Sequence, residues 1–330
     1  MKKKIGIIIS LVVVIALAVD ITAAVYLFNT TIVREHASAG RAQSFTGVDW
    51  EIYGDIRDEM QRTFAESKAE EYYIESDDGL NLYGQYFESP AAEQSDYIDG
   101  AEPALKRVAI CFHGYTGYGG GNSSAAAMFF LNNGFDVLIP DARAHGQSEG
   151  DYVGFGCQDR FDGLKWVEFI QDLYRPEADA GRLEIYLYGT SMGGATVCMM
   201  SSLDLPDSVK GIVSDCAFTS PEEIFGNILR SKYYVPSTPI LFVANILCQN
   251  TAGYSLDECN SAEEVKYADI PMLFIHGSAD SFIPVEMCYE IYENCASRKD
   301  ILIVDGAAHV ESYYKARDQY EQKLKEFLGI

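Results

Sequence analysis

The chain has 330 residues, of which 48% are hydrophobic and 22% are charged, a composition typical of globular proteins. Its 49 acidic and 25 basic residues give a formal net charge of −24 at pH 7. Because such an acidic surface repels a polyanion, no nucleic-acid partner is expected. The length suits one large α/β-type domain with a full core better than two small domains.

The N-terminus predicts a membrane helix. Three lysines at residues 2–4 precede the apolar run Ile5–Val19, and after Asp20 a second apolar run covers Ile21–Phe28. Residues 5–28 are long enough to cross the ~30 Å hydrocarbon core at ~1.5 Å per residue. Basic residues favour the cytoplasmic side, so the rest of the chain is expected outside the cytoplasm. We therefore expect residues 1–28 to be a single-pass anchor in the cell membrane. The alternative is a signal segment cleaved at the A-x-A site Ala16–Ala18, which would give a secreted protein.

A polar segment and a hairpin follow the membrane helix. Residues 29–69 are expected to form a polar stalk that is helical from Asp49 to Lys68. Strands are predicted at Glu70–Ser76 and Leu80–Glu88, joined by a tight turn at Asp78-Gly79. A loose acidic connection is expected from Ser89 to Ala104.

Predicted strands and helices then alternate, which is typical of βαβ units and a parallel sheet. Strands are predicted at Arg107–Phe112, Phe135–Pro140, Glu184–Tyr188, Gly211–Ser214, Met272–His276 and Ile301–Val304. Helices are predicted at Ser123–Asn133, Cys157–Tyr174, Ala195–Met200, Pro284–Ala296 and Val310–Leu328. Residues 70–330 are thus expected to form one α/β domain with a mostly parallel sheet and helices on both faces.

The stretch 217–269 interrupts this alternation. It is long and contains Pro221, Pro236 and Pro239. A structureless insert of that length is unusual in a compact domain, so a small helical lid is expected. Additional core helices are the alternative.

The positions of the eight cysteines in the sequence do not predict a disulfide framework. Most lie in predicted buried elements, and Cys288 and Cys295 are about 10 Å apart along one predicted helix, too far to bridge. Cys248 and Cys259 could pair across a loop-rich segment. No C-x-x-C motif occurs, so the sequence predicts no metal or redox site.

The pentapeptide Gly189–Gly193 carries the clearest chemical signal. It has the pattern G-x-S-x-G and lies between a predicted strand and a predicted helix, the context of a nucleophile elbow. Such a turn exposes the serine hydroxyl at the end of a sheet, and glycines leave room for the close strand–helix approach. Ser191 is therefore the predicted nucleophile.

A serine nucleophile requires a base, usually a histidine that a carboxylate orients. Among the five histidines, His309 is favoured because it lies in a loop after the last strand. His36 lies in the stalk, His113 and His145 precede the serine, and His276 lies inside a strand.

The predicted carboxylate is Asp280, just past the end of a strand and 29 residues before His309. Asp215, at the end of the preceding strand, is the rival. Asp305 is nearer to His309 in sequence but is interpreted as a turn residue.

Two backbone N–H groups are expected to form an oxyanion hole. One is that of Met192, directly after the serine, and the other is that of Tyr115 in the H-G-x-x-G loop that begins at His113. The run Gly119–Gly121 is not followed by G-K-[ST], and no G-x-G-x-x-G motif occurs. No nucleotide, metal or other cofactor is therefore expected.

Taken together, these motifs resemble the α/β-hydrolase superfamily, and within it the bacterial serine-aminopeptidase-like and monoacylglycerol-lipase-like group. The similarity covers about residue 70 to the C-terminus, and the order serine, aspartate, histidine matches that class. The resemblance implies that Arg143 and His145 shape a loop beside the site. The chain departs from the usual pattern with Ala144, where glycine is common. The motifs that carry the resemblance are His113-Gly114, Asp141–Ser148, Gly189–Gly194, Phe274–Asp280 and Gly306–His309.

The sequence therefore predicts an extracytoplasmic serine hydrolase that acts on carboxylic esters, with a small acyl ester or lipid-like molecule as substrate. A serine peptidase acting on short peptides is the first alternative, and a non-catalytic binding protein on the same fold is the second. No substrate-binding residue is assigned. The apolar side chains of Tyr233, Tyr234, Leu241 and Phe242 favour an apolar acyl group if they face the site, or they form the core of the lid.

Overall fold

The computed structural model describes residues 2–34, 47–90, 104–118 and 124–330. Within these residues, eight strands form one sheet in the order β1-β2-β4-β3-β5-β6-β7-β8. The pairs β1–β2 and β2–β4 are antiparallel and the other pairs are parallel. The strands are β1 Lys68–Glu75, β2 Asn81–Glu88, β3 Lys106–Phe112, β4 Asp136–Pro140, β5 Leu183–Thr190, β6 Val209–Asp215, β7 Met272–Gly277 and β8 Lys299–Val304.

Helices cover both faces of this sheet. In the described part of the chain they are α1 Lys2–Thr31, α2 Trp50–Glu66, α3 Ser124–Asn132, α4 Asp159–Leu173, α5 Arg175–Asp179, α6 Met192–Met200, α7 Pro221–Ser231, α8 Ser237–Leu247, α9 Ser261–Glu264, α10 Val285–Asn294, α11 Ser312–Lys315 and α12 Arg317–Leu328. Side chains alternate along β5, so that Ile185 packs in one hydrophobic cluster with α4 and α6, whereas Tyr186 packs in the other with α3 and α12. The predicted α/β fold with a mostly parallel sheet is confirmed.

The hairpin between β1 and β2 turns where the sequence predicted it. Gly79 has a φ of 84°, in the region that glycine adopts without strain. The Gly79 N–H donates to the Ser76 carbonyl at 3.0 Å, and the Ser76 N–H donates to the Leu80 carbonyl at 2.9 Å. This hairpin places β2 antiparallel beside β4, at one edge of the parallel strands.

The segment predicted as a single C-terminal helix is two helices, so that prediction was wrong. Ala316 has φ −140° and ψ 50°, which ends α11 and begins α12. The break lets Tyr313 pack against Tyr320, with ring centroids 5.1 Å apart. It also lets Arg317 donate to both carboxylate oxygens of Glu59 in α2, at 2.6 and 2.9 Å. These tertiary contacts compensate for the lost helical hydrogen bonds.

Helix α2 lies in the segment assigned to the stalk and packs on the domain. Asp49 caps it by accepting a hydrogen bond from the Glu51 N–H at 2.9 Å. Ile56 is buried, and the Phe64 ring lies 4.9 Å from that of Phe87 in β2. Residues 35–46, which include His36, and residues 91–103 of the acidic connection lie outside the described residues.

The insert 217–269 is helical. The Ser220 hydroxyl oxygen accepts from the Glu223 N–H at 3.1 Å, and Pro221 is the first residue of α7. Helix α8 follows and continues into a π-helical turn at Cys248–Ala252. It packs against α7 on one side and α1 on the other. The insert therefore contacts the membrane-type helix.

All eight cysteines are buried free thiols, and the pairing of Cys248 with Cys259 is not observed. The Cys157 thiol instead donates to the Ser255 carbonyl at 3.9 Å, and its interaction with the Cys259 thiol together with burial raises the pKa of Cys157 far above its usual value. The thiols therefore pack as small core side chains.

Candidate active site

Ser191 lies at the junction of β5 and α6 in a strained conformation. Its φ is 56° and its ψ is −113°, and its N–H donates to the Asp215 carbonyl at 2.8 Å. A Cβ on Gly189 would lie 2.1 Å from the Gly193 carbonyl oxygen, and a Cβ on Gly193 would lie 2.2 Å from that of Phe112. Glycine is thus required at both positions for α6 to start this close to the sheet. Strain of this kind at a non-glycine residue is typical of functional sites.

The three residues predicted as a catalytic triad lie in hydrogen-bond contact. The Ser191 Oγ is 2.9 Å from the His309 Nε2, and the His309 Nδ1 is 2.6 Å from the Asp280 Oδ2. Because Nδ1 faces a carboxylate, it carries the ring proton and leaves Nε2 as the acceptor for the serine hydroxyl. The arrangement can therefore take a proton from the hydroxyl and stabilise the imidazolium that results.

Asp280 is held as an anion. Its side chain is fully buried, and its Oδ1 accepts from the N–H groups of Phe282 at 2.9 Å and Ile283 at 2.8 Å. Burial alone would raise the pKa of Asp280, but hydrogen bonds from His276 and His309 outweigh it and hold that pKa well below its usual range. A carboxylate fixed in this way orients the His309 ring.

A second histidine, His276, also lies beside this carboxylate, although the sequence did not predict it as a site residue. Its Nε2 lies 3.4 Å from the Asp280 Oδ2 and donates to the Ile283 carbonyl at 2.9 Å. Burial lowers the pKa of His276, but the contacts with Asp280 and Cys288 more than compensate and raise it to about 10. The available signal was its position at the carboxyl end of β7, the edge of the sheet where the other site residues gather.

The two rival carboxylates bind other groups. The Asp215 Oδ2 accepts from the hydroxyls of Tyr320 at 2.7 Å and Tyr188 at 3.3 Å, and burial raises its pKa. The Asp305 Oδ1 accepts from the Ser278 hydroxyl at 3.2 Å. Of the three carboxylates that the sequence offered, Asp280 is the one that hydrogen-bonds to His309.

The two predicted oxyanion donors lie in elements that meet at Ser191. Met192 is the first residue of α6, so its amide belongs to the turn whose N–H groups have no intrahelical partner. Tyr115 follows β3, and a Cβ on Gly193 would lie 2.8 Å from the His113 carbonyl oxygen, so this loop touches the elbow. Residues 119–123, which include the run Gly119–Gly121, lie outside the described residues.

Two buried histidines tie the Tyr115 loop to the loop that follows β4. The His113 Nδ1 donates to the Gly114 carbonyl at 2.8 Å, and its Nε2 accepts from the Ala142 N–H at 3.0 Å. The His145 Nε2 accepts from the Thr116 N–H at 3.3 Å. Burial lowers the pKa of His113 to about 4 and that of His145 to about 3, so both rings are neutral. They shape the loops and do not contact Ser191.

Arg143 anchors the second loop. Its guanidinium donates to both oxygens of Asp162 at 2.7 Å and to Asp78 at 3.0 and 3.1 Å. Ala144, where glycine is common, has a φ of 61° and therefore bears a strain that glycine would not. Within the described part of the chain, no cluster of His, Cys, Asp and Glu side chains could hold a metal ion.

Comparison with known proteins agrees with this geometry. Residues 108–245 match the family model of the α/β-hydrolase fold. An uncharacterized Bacillus subtilis protein, YqkD, is 30% identical over 207 residues, which cover 63% of this chain and 66%, just under two thirds, of that relative. The lysophosphatidylserine lipase ABHD12 of Danio rerio is 22% identical over 70% of this chain and 59% of its own length.

Two solved structures share the architecture. An esterase from Pyrococcus furiosus superposes with a TM-score of 0.62 at 20% identity, covering 80% of this chain and 91% of its own. An acylaminoacyl peptidase from Pyrococcus horikoshii superposes with a TM-score of 0.57 at 17% identity, covering 80% of this chain and 41% of its own. At these identities the likeness shows the fold alone. With the sheet order and the family-model match over residues 108–245, it shows that this chain has the α/β-hydrolase fold.

Proposed function

We propose that the protein is a serine hydrolase that cleaves carboxylic esters at Ser191. The observation that carries the proposal is the continuous hydrogen-bonded series from the Ser191 Oγ through His309 to Asp280, with separations of 2.9 and 2.6 Å. Both lie within the reach that proton transfer by a general base requires. The match of residues 108–245 to the family model of the α/β-hydrolase fold supports the same reaction class.

In the first half-reaction, the Ser191 hydroxyl attacks the acyl carbonyl while the His309 Nε2 takes its proton. The imidazolium is stabilised by the buried Asp280 carboxylate. His309 then gives the proton to the leaving alkoxide, and the acyl group stays on Ser191 as an ester. In the second half-reaction, His309 activates a water molecule that releases the acid and restores the serine.

The negative charge on the tetrahedral intermediate needs fixed donors. The amides of Met192 and Tyr115 are proposed to supply them, since both belong to segments that contact the elbow. One such donor contributes about 3 to 4 kcal/mol to transition-state stabilisation in a serine protease. Because both donors are backbone groups, the tight packing of the elbow glycines determines where they lie.

Esters with an apolar acyl group are the proposed substrates. The lipase among the sequence relatives and the esterase among the solved structures support this class. A peptidase acting on short peptides remains the second candidate, because an acylaminoacyl peptidase shares the fold.

We propose that the domain consists of residues 70–330 and that its helical insert 217–269 forms a lid.

The protein is proposed to be anchored in the cell membrane by α1, with the hydrolase domain outside the cytoplasm. The chain has one helix among its described residues that is long and apolar enough to cross a membrane, spanning Lys4–Thr31. The lysines at residues 2–4 favour a cytoplasmic N-terminus. A cleaved signal segment would instead remove the first half of this helix.

The test is a substrate screen with the full chain in detergent. Rates are measured for p-nitrophenyl esters of increasing acyl length and for aminoacyl p-nitroanilides, beside the Ser191→Ala variant. The proposal predicts ester turnover that disappears in the variant and exceeds amide turnover at every length. Faster cleavage of the aminoacyl amides would favour the peptidase, and ester turnover that survives the Ser191→Ala change would refute the nucleophile.

A further inference from the structure

Helix α8 lies in an uncharged stretch of the chain. No lysine, arginine, aspartate or glutamate occurs between Lys232 and Asp257, although 22% of all residues are charged. One face of α8 is buried through Ile240, Leu241 and Ala244. The opposite face is also apolar, with Phe242 68% exposed and Ile246 45% exposed. Exposed apolar side chains of this size on one helix are unfavourable in water and favour a second apolar environment.

The exposure of side chains along α1 indicates which part of the helix can lie in a bilayer. The large side chains from Ile5 to Val19 are exposed, whereas Ala24, Phe28 and Ile32 are buried at a spacing of four residues, on the face towards the domain. The twenty residues from Ile5 to Ala24 rise about 30 Å, the thickness of the hydrocarbon core. A membrane-crossing segment that starts at Ile5, directly after the lysines, would leave the outer leaflet near Ala24. The domain begins to cover α1 at that same residue.

Helix α8 lies at that same level. It packs against α1, and the buried side chains at this end of α1 are those of Ala24, Phe28 and, directly after the helix, Ile32. Three tyrosines nearby in the chain are exposed, namely Tyr26 at 64%, Tyr233 at 52% and Tyr234 at 87%. Tyrosine is enriched where a membrane meets water, because its ring is apolar and its hydroxyl is polar.

The outer end of α1 is fixed to the domain, so the level of α8 is fixed too. The Val153 N–H donates to the Ile32 carbonyl and the Arg34 N–H donates to the Asp151 carbonyl, both at 2.8 Å. The Tyr115 hydroxyl donates to the Thr31 carbonyl at 3.0 Å. Tyr115 also belongs to the loop beside Ser191. The membrane helix and the site loop therefore form one connected unit.

We propose that the exposed face of α8, with Tyr233 and Tyr234, docks into the outer phospholipid leaflet of the bilayer that α1 spans. The site then receives its ester from that leaflet, and the substrate is a membrane-resident amphiphile. The second statement rests on the proposed ester hydrolysis, whereas the docking rests only on the proposed anchoring of α1 in the membrane. Because the docking face is uncharged and the protein carries a net charge of −24, apolar burial drives it and added salt does not release it.

The depth of α8 is measured by tryptophan quenching in full-length protein reconstituted into phosphatidylcholine vesicles. Phe242→Trp places a probe on the exposed face, in a Trp50→Phe background that leaves only the buried Trp166. Tyr267→Trp is the matched control, since Tyr267 is 75% exposed and lies outside α1 and α8. Brominated lipid tails are expected to reduce the emission at 242 by about twofold and to leave that at 267 unchanged. Equal emission changes at the two positions would overturn the docking.

An activity measurement tests the substrate class. Ile246→Glu adds a charge to the exposed face, and Tyr267→Glu adds one elsewhere. Ile246→Glu is expected to slow turnover of a long-chain ester embedded in vesicles by about tenfold, with turnover of soluble p-nitrophenyl acetate unchanged. Tyr267→Glu is expected to change neither rate. Equal losses on both esters would overturn the proposal. If the unmodified chain cleaves neither ester, the proposed function fails, while the quenching result still decides the docking.

Discussion

Two aspartates lie at or just after the ends of neighbouring strands of the sheet and differ in what surrounds them. Asp215 ends β6 and accepts hydrogen bonds from two tyrosine hydroxyls, at 2.7 and 3.3 Å. Asp280 follows β7 and lies against two imidazoles, at 2.6 and 3.4 Å. Burial raises the pKa of Asp215, whereas in Asp280 the imidazoles overcome the same effect and lower the pKa. Position at a strand end thus makes a carboxylate available, and its hydrogen-bond partners determine what it can do.

The largest expected effect comes from removing the charge of Asp280. Asp280→Asn keeps the shape of the side chain but can stabilise the wrong tautomer of His309. In a serine protease the corresponding change lowers kcat by about 10⁴. We expect a loss of that order here, measured as kcat for a soluble p-nitrophenyl ester. A loss below about tenfold would mean that Asp280 does not orient the base.

A third carboxylate tests what burial does without an imidazole. Asp159 is fully buried, and its pKa is raised to about 6 by burial and by Asp162. Because this pKa lies above the unfolded value, the proton stabilises the native state below about pH 4, and that contribution is lost as pH rises through 6.

Asp159→Asn should remove this loss and leave the hydrogen bond from the Gly156 N–H in place. We compare the unfolding free energy of the variant with that of the native chain at each pH. The variant minus native difference should be about 2 kcal/mol larger at pH 7.5 than at pH 4. Thermal unfolding of the full chain in detergent at both pH values measures it. If the variant and the native chain differ by the same unfolding free energy at both pH values, the pKa of Asp159 is not raised by burial.

His276 offers a smaller effect on Asp280 itself. Its contacts with Asp280 and Cys288 raise its pKa to about 10, which favours the cation at neutral pH. His276→Gln keeps a donor near the Nε2 position but removes the charge. The pKa of Asp280 should then rise, and its carboxylate should stabilise the imidazolium more strongly, so the acid limb of the kcat/KM profile should move to higher pH by about 0.5 unit. If the limb stays in place while the rate falls, His276 has only a packing role.

The smallest effect on activity is expected at Asp215. Its side chain binds Tyr188 and Tyr320 and does not bind His309. Asp215→Asn should therefore change kcat by less than about tenfold, in contrast to Asp280→Asn. The same soluble ester assay measures both variants. A loss as large as that of Asp280→Asn would show that Asp215 is the functional acid and would reverse the comparison.

The fold and the main site residues could be predicted because their signals are local. The G-x-S-x-G turn around Ser191 needs glycines whose Cβ atoms would collide with backbone, and the structure shows those collisions. The order of Ser191, Asp280 and His309 along the chain selected three residues that the structure brings into contact. Alternating strands and helices likewise predicted the parallel sheet.

The features that escaped prediction depend on contacts between distant parts of the chain. The break at Ala316 follows from the pairing of Arg317 with Glu59, more than 250 residues away. The contact of His276 with Asp280 depends on how the loop after β7 turns back. The packing of α8 on α1 joins residues more than 200 positions apart. Local patterns contain no information on such pairs.

Labelling by a fluorophosphonate tests the central claim most directly, since it needs no knowledge of the substrate. The native full-length chain, the Ser191→Ala variant and the Asp280→Asn variant are incubated with the probe, and the modified peptide is identified by mass spectrometry. The account predicts rapid labelling at Ser191 in the native chain, slow labelling in Asp280→Asn and none in Ser191→Ala. A native chain that is not labelled at Ser191 would contradict it.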